Sequence, residues 1–272
     1  MFWIILAAVV VAGFFALYRF MTAGRPTDSW LADFDYAHRG LHSQEAPENS
    51  LAAFRRAMQN GYAIELDVHR SKDGRIMVFH DDDLERMTGT RGKIEDMTAE
   101  ELRALRLNKS GERIPFLEEV LELVNGKTPL LIELKNTGRA GMLEVDVYKQ
   151  MKDYHGKYAV QSFSPFSIRW FYKHAPEILR GQLSATFTEG AEAIPLWQRW
   201  GLRHLLSNVL CRPNFINYEK QGLRETILKR LRKNGLPVFA WTIRTEYEAK
   251  QALSFADALV FENFEPEEEK RA

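Results

Sequence analysis

"IELDVHRSKDGRIMVFHDDD", Ile64–Asp83, is the stretch on which the reading of this chain turns. It presents two short apolar runs, Ala63–Val68 and Ile76–His80, as the arms of a hairpin. Into that hairpin the chain places Glu65, Asp67, His69 and His80. Alternate residues of a strand share a face, so Glu65 and Asp67 point the same way, joined by His69 if the strand runs that far. Histidines and carboxylates are costly to bury without partners, so these groups read as one shared site. Two adjacent carboxylates repel unless a cation or a proton sits between them, and a hard divalent cation takes oxygen ligands of this kind. The plain alternative is that Asp67 caps a turn and Glu65 pairs with an arginine. His69 reads as a solvated strand-end histidine rather than a ligand.

Working outward, "YAHRGLHSQEAPENS", Tyr36–Ser50, opens apolar and then sets His38, Arg39 and Gly40 side by side. "LLIELKN", Leu130–Asn136, puts Glu133 and Lys135 on one face at the C-terminal end of another strand. His38 and His80 each end an apolar strand. Histidine titrates near pH ~6.5, so such a pair can hold one base and one acid at neutral pH. Arg39 offers a planar fork suited to phosphate oxygens. Each of these residues has an ordinary structural reading when taken singly. One or two cations, an arginine, a lysine and two histidines together describe a phosphoester site.

Further strand-like runs are Asp35–His38, Leu130–Leu134, Tyr158–Gln161, Ile178–Leu183, His204–Ser207, Val238–Thr242 and Ala258–Phe261. Helical patterns lie between many of them, at Ser50–Asn60, Leu117–Val124, Met142–Tyr154, Phe166–His174, Leu223–Lys233 and Glu246–Leu253. Strands alternating with helices imply βαβ units and a mainly parallel sheet. Without a Gly-x-Gly-x-x-Gly motif, this pattern favours a closed (β/α)8 TIM barrel over a dinucleotide-binding sheet. Asp82–Lys109 breaks the alternation and reads as a small insertion after an early strand. Its "MTAEEL" predicts a helix capped by Thr98, with Glu101 closing a capping box.

At 272 residues the chain suits one large barrel domain. Its 37 basic and 37 acidic side chains give no net charge to attract nucleic acid, which is not expected as a partner. A single cysteine, Cys211, excludes an internal disulfide and reads as a structural or exposed thiol. Phe2–Tyr18, "FWIILAAVVVAGFFALY", carries no charge over 17 residues, at the short end of the ~17–25 that span a bilayer. No basic residue precedes it, and "YRFMTAGRP" is a poor cleavage site, so a retained transmembrane helix is favoured over a signal peptide. Arg19 and Arg25 follow it and favour a cytoplasmic body on a single-pass membrane anchor. The expected organisation is an anchor over 1–21, a linker over 22–34, a catalytic barrel over 35–264 and a solvated tail over 265–272.

"AHRG", "PENS", "IELDV", "SKDG", "VFHD", "IPFLEEVL" and "LLIELKN" follow one another in order over Ala37–Asn136. This string resembles the glycerophosphodiester phosphodiesterase family, and fainter likeness continues through "VQSF", Val160–Phe163, and "VFAWTI", Val238–Ile243. The resemblance implies a TIM barrel that hydrolyses glycerophosphodiesters to sn-glycerol 3-phosphate and an alcohol. It places metal carboxylates at Glu65, Asp67 and Glu133, for Mg2+ or Ca2+, and acid/base histidines at His38 and His80. It places phosphate-holding cations at Arg39 and Lys135, a loop-ordering amide at Asn49, and a pocket-lining aromatic at Trp241. Trp241 also has a plain reading as a barrel-layer tryptophan. The nucleophile is water or the glycerol's own 2-hydroxyl.

The chain departs from the family's usual run at Met87, at Phe116, at Arg244 and in "FENFEP". These positions are expected near the alcohol or glycerol end of the substrate, with Arg244 solvated or facing an anionic head group. Two other functions compete. One is a lysophospholipase D-like enzyme that cuts head groups from lipids still carrying a chain, favoured by an apolar entry groove. The other is a catalytically dead binding protein, which loss of a metal carboxylate would have indicated.

Overall fold

The chain folds around strands whose inward residues change character along their length. The computed structural model describes residues 2–21, 30–136, 139–188 and 194–266. The strands are β1 Tyr36–Ala37, β2 Ala63–Arg70, β3 Ile76–Val78, β4 Leu130–Leu134, β5 Tyr158–Ser162, β6 Leu179–Ser184, β7 Phe215–Glu219, β8 Val238–Ile243 and β9 Ala258–Phe261. All of them but β3 pair in parallel, in the order β1, β2, β4, β5, β6, β7, β8, β9, and β9 returns to β1, which closes an eight-stranded barrel. β3 lies outside the ring, antiparallel to the end of β2, with Val68 opposite Val78.

The helices are α1 Phe2–Met21, α2 Leu51–Gln59, α3 Glu85–Thr88, α4 Ala99–Ala104, α5 Leu117–Val124, α6 Met142–Met151, α7 Pro165–His174, α8 Leu196–Arg203, α9 Asn208–Cys211, α10 Thr226–Lys233 and α11 Glu246–Ala252. The outward residues of the strands, such as Ile64, Leu66, Val68 and Ile132, bury against the apolar stripes of α2, α5, α6, α7 and α10. Inside the ring, Tyr36, Ala63, Leu131, Ala159, Phe215 and Phe239 form an apolar floor, and Leu31 of the 3-10 turn Trp30–Asp33 belongs to it. Two residues further along the same strands, the inward positions become Glu65, Glu133, Gln161, Asn217 and Trp241. This period of two turns a packed core into a polar mouth at the C-terminal end of the barrel.

α3 and α4 belong to the insertion, which has its own small core of Met77, Phe79, Leu84, Met87, Leu102 and Ile114. Thr98 caps α4 and Glu101 closes the expected capping box. Met87 therefore fills that core, and Phe116 lies under the guanidinium of Arg75 at 4.4 Å and that of Arg103 at 5.0 Å. Neither departure lies where the substrate-end expectation put it.

One strand expectation fails. His204–Ser207 is a turn between α8 and α9, with Leu205 at φ 55°, and the seventh barrel strand is Phe215–Glu219 instead. The apolar run "HLLS" marks a buried turn residue. "FINYE" partly hides its strand character because, after Phe215, its inward positions are Asn217 and Glu219, which serve the polar mouth.

The apolar N-terminal run forms the 20-residue helix α1. Counted over the described residues, no helix is long and apolar enough to cross a membrane, and several side chains of α1 fall outside that count. Most of the expected linker and tail, 22–29 and 267–272, lies outside the described residues.

Candidate active site

The barrel mouth is built first from three carboxylates. Glu65 and Asp67 come from β2 and Glu133 from β4, where Asp67 and Glu133 are direct cross-strand neighbours. One oxygen from each lies within 4.8 Å of the others, and all three residues are buried. Buried like charges this close cannot all stay ionised unaided. Burial, reinforced by Asp67 and Glu133, pushes the Glu65 carboxyl well above the usual range. Burial also raises Glu133, against the pull of Lys135. Burial would raise Asp67 too, but Lys135, His80 and Arg39 outweigh it and hold that carboxyl well below its ordinary value.

Cations flank the cluster. The Lys135 ammonium lies 2.5 Å from Glu133 Oε1 and 3.0 Å from Asp67 Oδ1, and these carboxylates overcome burial to keep it protonated. Arg39 follows β1 with φ 56°, a left-handed conformation uncommon outside glycine. That turn lets its backbone N–H donate to Glu65 Oε2 at 3.0 Å while its Nε sits 3.6 Å from Asp67 Oδ2. Gly40 continues the turn at φ 80°, where a Cβ would lie 2.9 Å from Ala53 and Phe54. Asn49, also left-handed, donates from Nδ2 to Asp67 Oδ2 at 2.8 Å and accepts from the Asp67 backbone N–H at 3.3 Å.

The two histidines stand on either side, each backed by a carboxylate that the sequence reading did not assign. His38 Nδ1 lies 2.6 Å from Glu262 Oε2, and His80 Nδ1 lies 2.6 Å from Asp81 Oδ1. Burial would raise Glu262, but its bonds to His38 and His42 hold it well below the ordinary carboxylate range. An ionised carboxylate can only accept, so Nδ1 of each ring carries the proton and Nε2 of the neutral ring keeps its lone pair. Burial lowers both histidines, His80 to about 4 with help from Lys135 and Arg39. Both lie near enough to Asp67 to feel its charge.

Arg86, from α3, ties the insertion to this arrangement. It donates to Asp81 Oδ2 at 2.5 Å and to Glu48 Oε1 at 2.6 Å, and Glu48 accepts from Arg39 at 2.8 Å. His69 is buried, not solvated as expected, and its Nε2 lies 3.1 Å from the His80 carbonyl oxygen. Arg244 is not free either: it pairs with Glu262 Oε1 at 2.7 Å, so a departing residue buttresses the carboxylate behind His38.

A second polar row supports Glu65 from across the barrel. Gln161 donates to Glu65 Oε1 at 3.2 Å and accepts from Asn217 Nδ2 at 2.9 Å. Trp241 donates to the Asn217 carbonyl at 3.3 Å and packs edge-on against Phe163, so it joins the apolar floor to the wall of the mouth. A cavity of about 510 Å3 opens here, lined by His80, Asp81, Arg86, Glu133, Lys135 and Phe163 among others.

Arg86 and Glu262 carried little sequence signal. Asp81 sits in the "VFHD" run but without a visible role, and Glu262 lies 224 residues from the histidine it serves.

The sequence profile of the glycerophosphoryl diester phosphodiesterase family matches residues 38–263. The chain belongs to this family. It is thereby a phosphoric diester hydrolase. It is 33% identical over 222 residues to a glycerophosphodiester phosphodiesterase of Caldanaerobacter subterraneus, covering 76% of this chain and 84% of that one. It is 27% identical over 263 residues to the human glycerophosphodiester phosphodiesterase 1, covering 85% and 79%. Among solved structures it resembles an Oleispira antarctica phosphodiesterase in complex with the product sn-glycerol-3-phosphate, at 27% identity and a TM-score of 0.70 over 84% of this chain and 92% of that one.

The residues present fit a divalent cation. Three buried carboxylates converge, with one oxygen of each within 4.8 Å of the others. The donor set is all oxygen, which suits Mg2+ and Ca2+ alike.

Proposed function

We propose that this chain hydrolyses glycerophosphodiesters to sn-glycerol 3-phosphate and an alcohol. The observation that carries the reading is the pair of histidines, each with Nδ1 bound to a carboxylate, set on either side of a buried carboxylate triad. Glu65, Asp67 and Glu133 would hold a divalent cation, Mg2+ or Ca2+, which supplies neutralisation of the phosphate oxygens and of the charge that develops on them. Arg39 and Lys135 add fixed positive charge around the same phosphate, in a site where low dielectric makes each worth more than in water.

The histidines move the protons. A neutral ring protonated at Nδ1 presents Nε2 as a base toward the attacking hydroxyl. Its opposite number, carrying a second proton on Nε2, gives it to the leaving alcohol oxygen. The diester's own negative charge, entering beside them, favours that second proton, against the burial that lowers both rings. Glu262 and Asp81 stabilise whichever ring becomes charged. Asn49 fixes Asp67, and Gln161 fixes Glu65, so that neither carboxylate needs to reorient during turnover.

Asp82, Asp83, Ser162 and Ser164 line the cavity beside the groups already named, together with Leu134 and Phe163, and apolar atoms make up most of its exposed wall. A water-soluble deacylated diester and a lysophospholipid are therefore separated by assay rather than by the wall. We further propose that α1, with its uncharged run from Phe2 to Tyr18, anchors the chain in a membrane and leaves the barrel on the cytoplasmic side. The test is to incubate the full chain with glycerophosphoethanolamine or lysophosphatidylcholine, with Mg2+, Ca2+ or chelator. Chelator-sensitive glycerol 3-phosphate from the first substrate is expected. Head-group release from the lysolipid alone would replace this reading with the lysophospholipase D-like one.

A further inference from the structure

Outside α1, nine large apolar side chains among the described residues are exposed, and seven of them fall between Phe166 and Leu210. The densest group is on α8, where Leu196 is 78% exposed, Trp197 73% and Trp200 59%, and no residue of the helix is buried. Leu206 and Leu210, in the next turn and in α9, extend the patch. A short helix that buries none of its apolar side chains in the barrel gains nothing from them in the folded monomer, and contiguous patches of this kind mark interaction surfaces.

The fold says where this helix lies. The Leu202 carbonyl accepts from Ser184 Oγ at 2.9 Å, and the Arg203 carbonyl accepts from Tyr218 Oη at 3.0 Å. Ser184 ends β6 and Tyr218 is the penultimate residue of β7, so α8 is pinned at the rim of the barrel that carries the site. α9 packs against α7, and α1 lies against α9.

Charge names the occupant. Leu196–Phe215 holds Arg199, Arg203 and Arg212 and no acidic residue, in a chain with as many acids as bases, and Arg203 is paired to an acid from outside the run, Glu225, at 2.6 Å. α7 adds Arg169 and Lys173, again with no acid between Pro165 and His174. Tryptophan and leucine on an exposed face with arginine beside them is the composition of a helix lying in the headgroup layer of an anionic bilayer. We propose that the outer face of α8 and α9 seats in the lipid interface, so that the barrel rests side-on against the membrane that α1 enters. This rests on the anchor reading of α1 and goes beyond it, because a tethered barrel would otherwise be free to turn on its linker.

The test uses the full chain with a single new cysteine carrying a nitrobenzoxadiazole dye. Cys211 is fully buried, which leaves the introduced thiol as the reactive one. Leu196→Cys and Trp200→Cys probe the patch. Gln59→Cys, at the end of α2 between β1 and β2, probes the opposite side of the ring. The chains are reconstituted in phosphatidylcholine–phosphatidylglycerol vesicles and floated, and turnover of glycerophosphoethanolamine is assayed on the same samples. Emission shifted to shorter wavelength and quenched by doxyl-labelled lipid at positions 196 and 200, with water-like emission at 59, is the expected result. Water-like emission at all three in floated vesicles would overturn the docking face and leave the anchor standing. A wavelength shift that depends on protein density and ignores doxyl lipid would assign the face to a second copy of the chain, and would also overturn it. Failure to float would remove the anchor together with the docking face, while the turnover assay judges the catalytic reading by itself.

Discussion

His38 and Glu262 stand 224 residues apart in the chain and meet at 2.6 Å across the closure of the barrel between β1 and β9. Glu262 stabilises the His38 imidazolium through this bond and through its charge, although burial outweighs both and lowers the ring's pKa. Removing the charge while keeping the shape should therefore lower the His38 pKa further. Glu262→Gln is expected to reduce kcat on the order of 10²-fold with little change in KM. The limb of the pH–kcat profile set by His38 should move to lower pH. A stopped assay from about pH 5 to 9 reads both. A lowered kcat with an unmoved limb would make Glu262 a packing residue only.

The carboxylate triad should be a liability without its ion. In chelator the three buried carboxyls repel, so the thermal midpoint of the wild-type chain is expected to rise when Mg2+ or Ca2+ is added, by mass action on the folded state. Glu65→Gln removes one charge from the cluster and keeps the shape. Its NH2 can satisfy neither the Arg39 N–H nor Gln161, both of which donate to Glu65, so the informative quantity is the gain on adding the ion, most of which it should lose together with turnover. Differential scanning calorimetry with and without the ion checks this. An equal gain in both chains would take Glu65 out of the ligand set.

Much of this site was legible in the sequence because the three carboxylates of the triad sit on strands, at positions that counting by two places on one face. Glu65 and Asp67 share a face by counting, and Glu133 and Lys135 repeat the pattern one parallel strand over. What counting cannot give is which residues meet from distant strands. Glu262 and Gln161 contribute to the site through closure of the ring, and Arg86 through the packing of the insertion. The seventh strand is harder to read for a related reason: Asn217 and Glu219 are polar because the mouth is polar, so the apolar signal of this short strand rests on Phe215, Ile216 and Tyr218 alone. His69 looked like a strand-end residue because the extent of β2, to Arg70, is set by pairing with β3.

Gly40 should be intolerant of a side chain. Its φ of +80° disfavours any L-residue, and a Cβ would meet Ala53 and Phe54 at 2.9 Å, where the contact is with α2 itself. Gly40→Ala is expected to cost about 1–3 kcal/mol from backbone strain, with the clash in addition. It should also impair turnover, because the same turn aims the Arg39 backbone N–H at Glu65. Urea unfolding followed by circular dichroism measures the first effect. A variant as stable as the wild type would mean that α2 can shift away from the loop.

Cys211 should behave as a core residue toward alkylating agents. It is fully buried, and its Sγ lies 3.5 Å from Gln182 Oε1. Burial pushes the thiol up to about 12, with only partial relief from the local backbone, Arg180 and Ser207. A raised pKa disfavours the thiolate, the reactive species, whereas a free cysteine is half ionised near pH ~8.5. At that pH the thiolate fraction in the folded chain should be lower on the order of 10³-fold. Iodoacetamide should therefore modify the native protein very slowly and the urea-unfolded protein at the ordinary rate, as followed by intact-mass measurement. Raising the pH from about 7 to 9 should speed the native and the unfolded reactions in the same proportion where the native one proceeds only through the open fraction, so their ratio stays constant. Modification of the folded chain at the rate of a free thiol would show that the α9 end of the barrel wall opens on the timescale of the assay, and would require Cys211→Ser before any cysteine is placed on α8.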